Sequence, residues 1–264
     1  MRMVKDMNRK ESLKIEDYIL TQLKNHGEIR NNEVSKQLGV SEVTIRNYLK
    51  KLESKGDLKR THGGAVRKEE SLDLIVRPGN VFIKIEEKVR IAKRAYSYIM
   101  DKETVFIDDS SIGYYLAKEI KEDDSKHIIV ITNSLGVAAE LSEAENTILY
   151  MTGGQVGGKI PALMGDIAID NISQFKADKA FVSAYGVNFQ VGVTSIGSPQ
   201  MQIKKAFIEN TNEVYLMVDS ERFGGGYVMV VCPLSRIRKI ITDKNLENKN
   251  RLLALEHQVD IDLV

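Results

Sequence analysis

Six short, largely apolar runs constrain this chain more than any other feature of its sequence. They are Val105–Ile107, Ile128–Ile131, Ile148–Tyr150, Ala180–Val182, Val214–Val218 and Lys239–Ile241. Apolar residues at helical spacing precede and separate them, over Ile85–Ile99, Ile112–Ile120, Gly136–Leu141 and Met201–Glu209. Apolar strands that alternate with helices are typical of a sheet with both faces covered. The pattern predicts an α/β domain with a Rossmann-like, mostly parallel sheet and crossover helices.

Polar loops follow five of these runs. The loops are Asp108–Ser111, Thr132–Ser134, Thr152–Gly154, Ala184–Gly186 and Asp219–Gly224. In open α/β sheets, ligands bind at the carboxyl ends of the strands. Hydroxyl groups, a carboxamide and glycines at helix N-termini suit a phosphate and a polyol. Caps and turns explain any one loop better than a ligand site does, but the five together favour a polar pocket.

A break at Arg77-Pro78-Gly79 divides the chain, whose 264 residues suit two domains better than one. We place a small domain at residues 1–65, a linker at 66–83 and a larger domain at 84–264. Residues 1–70 carry 16 Lys and Arg against 11 Asp and Glu, whereas the remainder carries 22 against 26. A basic small domain beside a mildly acidic large one indicates a polyanionic partner for the first only.

Composition excludes several classes of protein. No apolar run is long enough to cross a bilayer, and the first residues are too charged for a secretory signal. The single cysteine, Cys232, excludes an internal disulfide and a cysteine metal cluster. We expect a cytoplasmic protein with no membrane contact, no metal site and no cofactor.

Three helices and a glycine turn are predicted in the first 55 residues. The first helix ends at Gly27, the second covers Asn32–Leu38, and the turn lies at Gly39. Ser41 is placed to cap the third helix, because its hydroxyl can accept from a free amide of the first turn. The inward stripe of that helix is Ile45, Leu49 and Leu52. This arrangement is typical of a helix-turn-helix.

A basic hairpin with a glycine turn, Gly56–Ala65, follows the third helix and predicts a wing. Side chains at the start of a helix-turn-helix reader reach base edges, and flanking Lys and Arg reach phosphates. The candidate DNA contacts are Ser41, Glu42, Thr44, Arg46, Asn47, Lys50, Lys59, Arg60 and His62. A three-helix bundle with a solvated outer face is the alternative, but the helices, turn and wing together favour DNA binding.

The stretch from Leu38 to Ala65 resembles the deoxyribose-operon-repressor (DeoR) family. Its V-S-x-x-T-I-R, L-E-x-x-G and R-x-H-G-G-A motifs match Val40–Arg46, Leu52–Gly56 and Arg60–Ala65 in one register. The sequence departs from the family at Asn47 and Tyr48, where Arg and Asp are usual. Asn can still bond to phosphate or adenine, so we expect DNA binding to survive with a different operator preference.

The larger domain resembles the effector domain of the same family, which is similar in fold to ribose-5-phosphate and glucosamine-phosphate isomerases. By this resemblance, a sugar phosphate would contact the Asp108–Ser111 loop, Thr132, Asn133 and Lys204. The effector contacts that we predict are Asp108, Ser110, Ser111, Thr132, Asn133, Gly153, Gly154, Lys204 and Arg222. The family's D-x-G-[ST]-T loop is here Asp108–Ile112, without its glycine and last threonine and with an extra carboxylate at Asp109. Gln200 stands in place of a usual Glu, and Arg222 in place of a usual Lys.

These observations predict a DNA-binding transcriptional regulator with no catalytic residues. We expect it to repress a sugar catabolism operon, to respond to a phosphorylated sugar and to bind double-stranded operator DNA as a homodimer or tetramer. The alternative is a sugar-phosphate isomerase with an appended DNA-binding module. Isomerisation needs a carboxylate base, and Asp108, Asp109 and Asp219 are available. Gln200 and Arg222 favour binding over turnover, because neither side chain can act as a base.

Overall fold

The computed structural model describes residues 15–23, 27–55, 58–61, 63–67, 84–157, 161–226 and 229–264. The chain divides into two compact units, Met1–Ile75 and Val76–Val264. The division falls within the predicted linker, of which residues 68–83 lie outside the described part of the chain. The C-terminal end of the linker therefore remains a prediction. The first two residues assigned to it, Val66 and Arg67, lie in a strand.

The first unit contains three helices and a three-stranded antiparallel sheet. In chain order these are α1 (15–23), β1 (Glu28–Arg30), α2 (Asn31–Leu38), α3 (Glu42–Lys55), β2 (Leu58–Thr61) and β3 (Gly64–Arg67). The sheet order is β1-β3-β2. The predicted inward stripe of α3 is confirmed, since Ile45, Leu49 and Leu52 are buried with Ile19 and Leu23 of α1. Strand β1 has no sequence signal of its own, because three residues are too few to show a period.

Two glycines allow the turn and the sheet to form. Gly39 ends α2 with a φ of 66°, in the left-handed region that glycine tolerates without steric cost. A side chain at Gly64 would collide with the carbonyl oxygen of Ile29, because β3 runs directly beside β1 at this point.

The second unit is built on a seven-stranded sheet. Its strands are β4 (Thr104–Ile107), β5 (Ile128–Thr132), β6 (Thr147–Met151), β9 (Ala177–Val182), β12 (Thr211–Met217), β14 (Lys239–Thr242) and β15 (Ile261–Leu263). The order is β15-β14-β12-β9-β4-β5-β6, and every pairing is parallel. The six predicted strands and the predicted α/β class are confirmed. The seventh, β15, is a short edge strand that the apolar pattern does not reveal.

Helices cover both faces of the sheet. They are α4 (Ile85–Ser97), α5 (Ser111–Glu122), α6 (Leu135–Leu141), α7 (Asp166–Ser173), α8 (Ser198–Glu209) and α9 (Asn248–Glu256). On one face α4, α5 and α6 pack against Val105 and Ile107, and on the other α7 and α8 pack against Phe106. Alternate side chains along β4 thus pack into two separate apolar cores, one on each face of the sheet. Phe106 stacks on Phe207 of α8 with ring centroids 4.6 Å apart.

Smaller antiparallel sheets complete this unit, and the sequence did not predict them. They are the hairpin of β7 (Gln155–Gly157) with β8 (Ala162–Met164), and a sheet of β10 (Gly186–Asn188), β11 (Gly192–Ser195) and β13 (Met229–Cys232). Strand β6 corrects another expectation. Although it reads as a strand buried on both faces, Ile148 is 58% exposed and Tyr150 46% exposed, because β6 ends the sheet. No described helix is long and apolar enough to span a membrane.

Candidate nucleic-acid interface and ligand pocket

The first turn of α3 is fixed by Ser41. Its Oγ accepts a hydrogen bond from the backbone N–H of Thr44 at 3.1 Å, which confirms the predicted cap. The same Oγ lies 2.8 Å from Oγ1 of Thr44. Both hydroxyls are therefore already engaged at the helix start, where they set the orientation of the turn.

The solvent face of α3 is a continuous stripe. Val43, Arg46, Asn47 and Lys50 are all exposed, at positions i, i+3, i+4 and i+7. They lie opposite the buried Ile45 and Leu49 because successive helical residues turn by about 100°. We call these four residues the α3 stripe. Lys51, one position further, lies off it and pairs with Glu16 of α1 at 2.6 Å.

Acidic side chains position two of the cationic residues that were predicted to contact DNA. Nη2 of Arg46 lies 3.1 Å from Oε2 of Glu42, one helical turn earlier. In the wing, Glu53 accepts from the backbone N–H of Arg60 and from its Nε, each at 2.9 Å. The hydrogen bond from that backbone N–H is the main cause of the lowered pKa of Glu53. The contact ties the end of α3 to β2 and was not anticipated from the sequence.

The remaining predicted DNA contacts are placed as follows. Lys59 and Arg60 are exposed on β2, in the same unit as the α3 stripe. Glu42 and Thr44 lie beside the stripe and are partly exposed. His62 lies outside the described residues, so its place in the wing remains a prediction.

A cavity of about 490 Å³ opens at the carboxyl ends of β4, β9 and β12 in the second unit. Strand order reverses between β4 and β9, and such a switch point is where open α/β sheets bind ligands. The lining residues are Lys88, Asp109, Ser110, Ser111, Ile112, Ser183, Ala184, Tyr185, Ile196, Gln200, Lys204, Asp219 and Arg222.

Helix α5 begins at this cavity. Oγ of Ser110 accepts from the backbone N–H of Gly113 at 3.0 Å and caps the helix. A side chain at Gly113 would collide with the carbonyl oxygen of Asp108, so the loop closes tightly over the first turn. A helix N-terminus favours negative charge, because its amides and the helix dipole point toward the ligand.

A buried ion pair forms the floor beneath this loop. Lys204 of α8 donates to Asp108, and both side chains are almost completely buried. Asp108 also accepts from the backbone N–H groups of Ser183 at 2.7 Å and Ser110 at 3.1 Å. Burial alone would lower the pKa of Lys204, but Asp108 and Asp109 outweigh it and raise the pKa. Lys204 therefore reaches the cavity as a cation already bound to a carboxylate.

Asp109 lines the cavity beside this pair. Burial raises the pKa of its carboxyl group, an effect that Lys204 opposes and the neighbouring Asp108 reinforces. The extra carboxylate is thus shifted toward its neutral form. This lessens the repulsion that a second carboxylate would exert on an anion.

Lys88 is a lining residue that the prediction of effector contacts missed. It lies on α4, and its side chain is only 3% exposed. Burial lowers its pKa to about 8, while Asp219 acts in the opposite direction. In sequence, Lys88 is one charge among several on an amphipathic helix, and only the packing of α4 against the sheet turns it inward.

The third lining cation, Arg222, closes the cavity near β12. Its Nε lies 3.2 Å from Oδ2 of Asp219, and its guanidinium carbon lies 5.8 Å from the ring centroid of Tyr185. Arg222 is thus held between a carboxylate and an aromatic ring.

Five predicted effector contacts do not line this cavity, and one of them is Asp108, which is buried in its ion pair with Lys204. Thr132 donates to the carbonyl of Ile107 at 2.7 Å and ties β5 to β4. Asn133 donates to the carbonyl of Leu163 at 3.3 Å. Gly153 and Gly154 adopt positive φ angles after β6. Asn133 does not line the cavity, but its side chain hydrogen-bonds to Asp109, which does. The assignment of Thr132, Asn133, Gly153 and Gly154 as effector contacts remains a prediction.

The described residues contain no cluster of His, Cys, Asp and Glu that could hold a metal ion.

Comparison with known proteins matches both units. The DeoR-like helix-turn-helix domain family matches residues 16–71, and the DeoR C terminal sensor domain family matches residues 83–244. One solved structure with local similarity is a ribose 5-phosphate isomerase A from Methanocaldococcus jannaschii. It is 18% identical, with a TM-score of 0.38, over 52% of this chain and 53% of the other.

Full-length relatives are transcriptional regulators. The lactose phosphotransferase system repressor of Lactococcus lactis is 34% identical, over 82% of this chain and 84% of the relative. The transcriptional repressor GlcR of Bacillus subtilis is 30% identical over 86% of each chain. The regulator IolR of the same organism is 28% identical over 94% of this chain and 96% of the relative. The chain belongs to the DeoR family of DNA-binding transcriptional regulators.

Proposed function

We propose that this regulator represses a sugar catabolism operon and that a phosphorylated sugar, bound in the cavity at β4, β9 and β12, modulates its operator binding. The observation that carries the proposal is that Lys88, Lys204 and Arg222 line the same cavity as the N-terminus of α5. Cations and helix amides suit a phosphate, and the hydroxyls of Ser110 and Ser111 suit a polyol. The printed names of relatives, such as the lactose phosphotransferase system repressor, support a sugar-related signal.

On DNA, the proposal assigns base contacts to the α3 stripe with Ser41, Glu42 and Thr44. Lys59, Arg60 and His62 of the wing contact phosphates. The geometry supports this because the stripe begins at the capped N-terminus of α3, the end of a reading helix that meets base edges.

The protein assembles as a homodimer or tetramer in this proposal, since one winged helix covers little DNA and specific sites are usually bound as paired half-sites. It acts in the cytoplasm, where bacterial operator DNA lies. Light scattering of the full chain at micromolar concentration tests the assembly, and a monomer bound alone to its operator would contradict it.

The proposal assigns binding and not turnover to the cavity. An isomerase needs a free base near a carbon-bound proton. Asp219 is paired with Arg222, Asp108 is bound to Lys204, and position 200 is Gln, so Asp109 is the carboxylate that an isomerase would have to use. Conversion of a bound sugar phosphate by the purified chain, followed by NMR, would favour the isomerase alternative.

The deciding experiment is a thermal-shift screen of the full chain against a panel of sugar phosphates. The cognate effector raises the melting temperature because it binds the native state only. Inorganic phosphate and the unphosphorylated sugars are the controls. The hit is then titrated into an operator gel shift. If no phosphorylated sugar changes either the melting temperature or operator affinity, the effector proposal is wrong, whereas DNA binding itself would stand.

A further inference from the structure

The α3 stripe begins with an apolar side chain that is not packed in the core of the unit. Val43 is 63% exposed, whereas the apolar residues of the inward stripe are almost completely buried. Its stripe neighbours Arg46, Asn47 and Lys50 are polar or charged. Valine is also a poorer helix former than most residues, because its branched side chain loses rotamer freedom in a helix. Neither packing nor helix propensity therefore explains Val43.

The position of Val43 points to what it contacts. It is the second residue of α3, next to the Ser41 cap, and the start of a helix-turn-helix reader lies deepest in the major groove. Arg46 and Lys50 continue the stripe toward the C-terminal end, so the stripe runs from an apolar tip to cations that suit base edges and phosphates.

The major-groove edge of DNA offers one apolar group, the 5-methyl of thymine. We propose that Val43 packs against a thymine methyl in each operator half-site and so determines sequence preference at that base pair. This inference rests on the proposal that the α3 stripe reads the operator. It adds a contact to that reading face which hydrogen bonds and charge cannot provide.

Replacement of single thymines by uracil tests the inference, because uracil lacks only the methyl group. The operator is first selected from random duplex DNA with the full chain. Each thymine is then replaced in turn, and affinity is measured by fluorescence anisotropy. At one thymine per half-site the wild type binds uracil about threefold to tenfold more weakly, as expected for loss of one buried methyl contact.

Val43→Ala supplies the second arm of the test. Alanine is a better helix former, so the variant keeps the fold, which its melting temperature checks. It binds the native operator about threefold to tenfold more weakly and no longer distinguishes thymine from uracil at that one position. Val191→Ala, which trims an exposed valine in the second unit, is the matched control and keeps the wild-type uracil penalty.

Three outcomes overturn the inference: no uracil penalty at any thymine, an unchanged penalty in Val43→Ala, or a Val43→Ala loss that is equal for all sequences. If the full chain selects no sequence at all, the DNA-reading proposal fails as well. If it selects an operator but Val43 proves indifferent to thymine, only this inference fails.

Discussion

Three cationic side chains line the cavity, and each has different charged neighbours. Lys204 is fixed to Asp108 in the floor, and its pKa is raised. Arg222 lies between Asp219 and the ring of Tyr185. Lys88 is buried with a pKa lowered to about 8, with Asp219 and Glu87 raising it while Arg222 and Lys84 lower it further. Of the three, Lys88 is the cation that we expect to change its charge in an accessible pH range.

Effector affinity is expected to fall as the pH rises from about 7 to about 9. Below its pKa of about 8, Lys88 is protonated and attracts the phosphate, whereas above it the neutral amine does not. The loss is at most about tenfold per pH unit for one proton. Isothermal titration at several pH values measures it. Lys88→Met is expected to bind weakly with no such slope, and the same slope in that variant would assign the titration to another group.

The Asp108–Lys204 pair makes a separate prediction at the residue scale. Lys204→Met or Asp108→Asn alone is expected to lower the free energy of unfolding by about 3–5 kcal/mol, since each leaves a buried charge without its partner. The double variant loses less than the sum of the two. Urea unfolding of the full chain measures these differences. Additive losses would show that the two groups are not coupled in solution.

At the scale of elements, α3 and β2 form one hydrogen-bonded support for the proposed DNA contacts. Ser41 caps the start of α3, and Glu53 near its end accepts two hydrogen bonds from Arg60 of β2. The support is thus hydrogen-bonded near both ends of α3, and it carries the α3 stripe as well as Lys59 and Arg60 of the wing. Different substitutions on it are therefore expected to have different signatures on DNA.

Arg46→Ala is expected to weaken binding to the selected operator by roughly 1–3 kcal/mol and to relax preference at one base pair. Lys59→Ala instead weakens binding to all sequences and reduces the salt slope by about one unit. Salt-dependent anisotropy titrations separate the two effects. If Arg46→Ala weakened all sequences equally, Arg46 would be a phosphate contact, contrary to its proposed role.

At the scale of the whole molecule, the α3 stripe and the cavity belong to different units. Among the described residues, none of the proposed DNA contacts lines the cavity. Any regulation must then be a free-energy coupling between two binding events, and an effector can act only through its different affinity for two states of the protein.

Such coupling is reciprocal, which gives a quantitative prediction. If the effector changes operator affinity by a factor, the operator changes effector affinity by the same factor, corresponding to about 1–3 kcal/mol. Operator titrations with and without effector, and effector titrations with and without operator, measure the two factors. Equal factors other than one are expected. If both factors equal one, the cavity does not regulate DNA binding.

Local sequence by itself determined the identity of α2, α3 and the six predicted strands of the large sheet. Ser41 caps α3 and Gly39 ends α2 because capping and left-handed turns depend on a residue and its near neighbours. The inward stripe of α3 could be predicted from periodicity, and the six strands from apolar runs, for the same reason. The solvent-exposed face of α3 could be predicted because a helix carries its side chains in a fixed angular order.

Only the tertiary structure decided what lies next to what. It placed β6 at the edge of the sheet, where apolar side chains of that strand are exposed. It also left the residues of the loops after β5 and β6 out of the cavity lining. It also brought Lys88 of α4 into the cavity and paired Lys204 of α8 with Asp108 after β4. These elements lie far apart in the chain. Strand order and burial depend on contacts across the whole fold, and these leave no local pattern in the sequence.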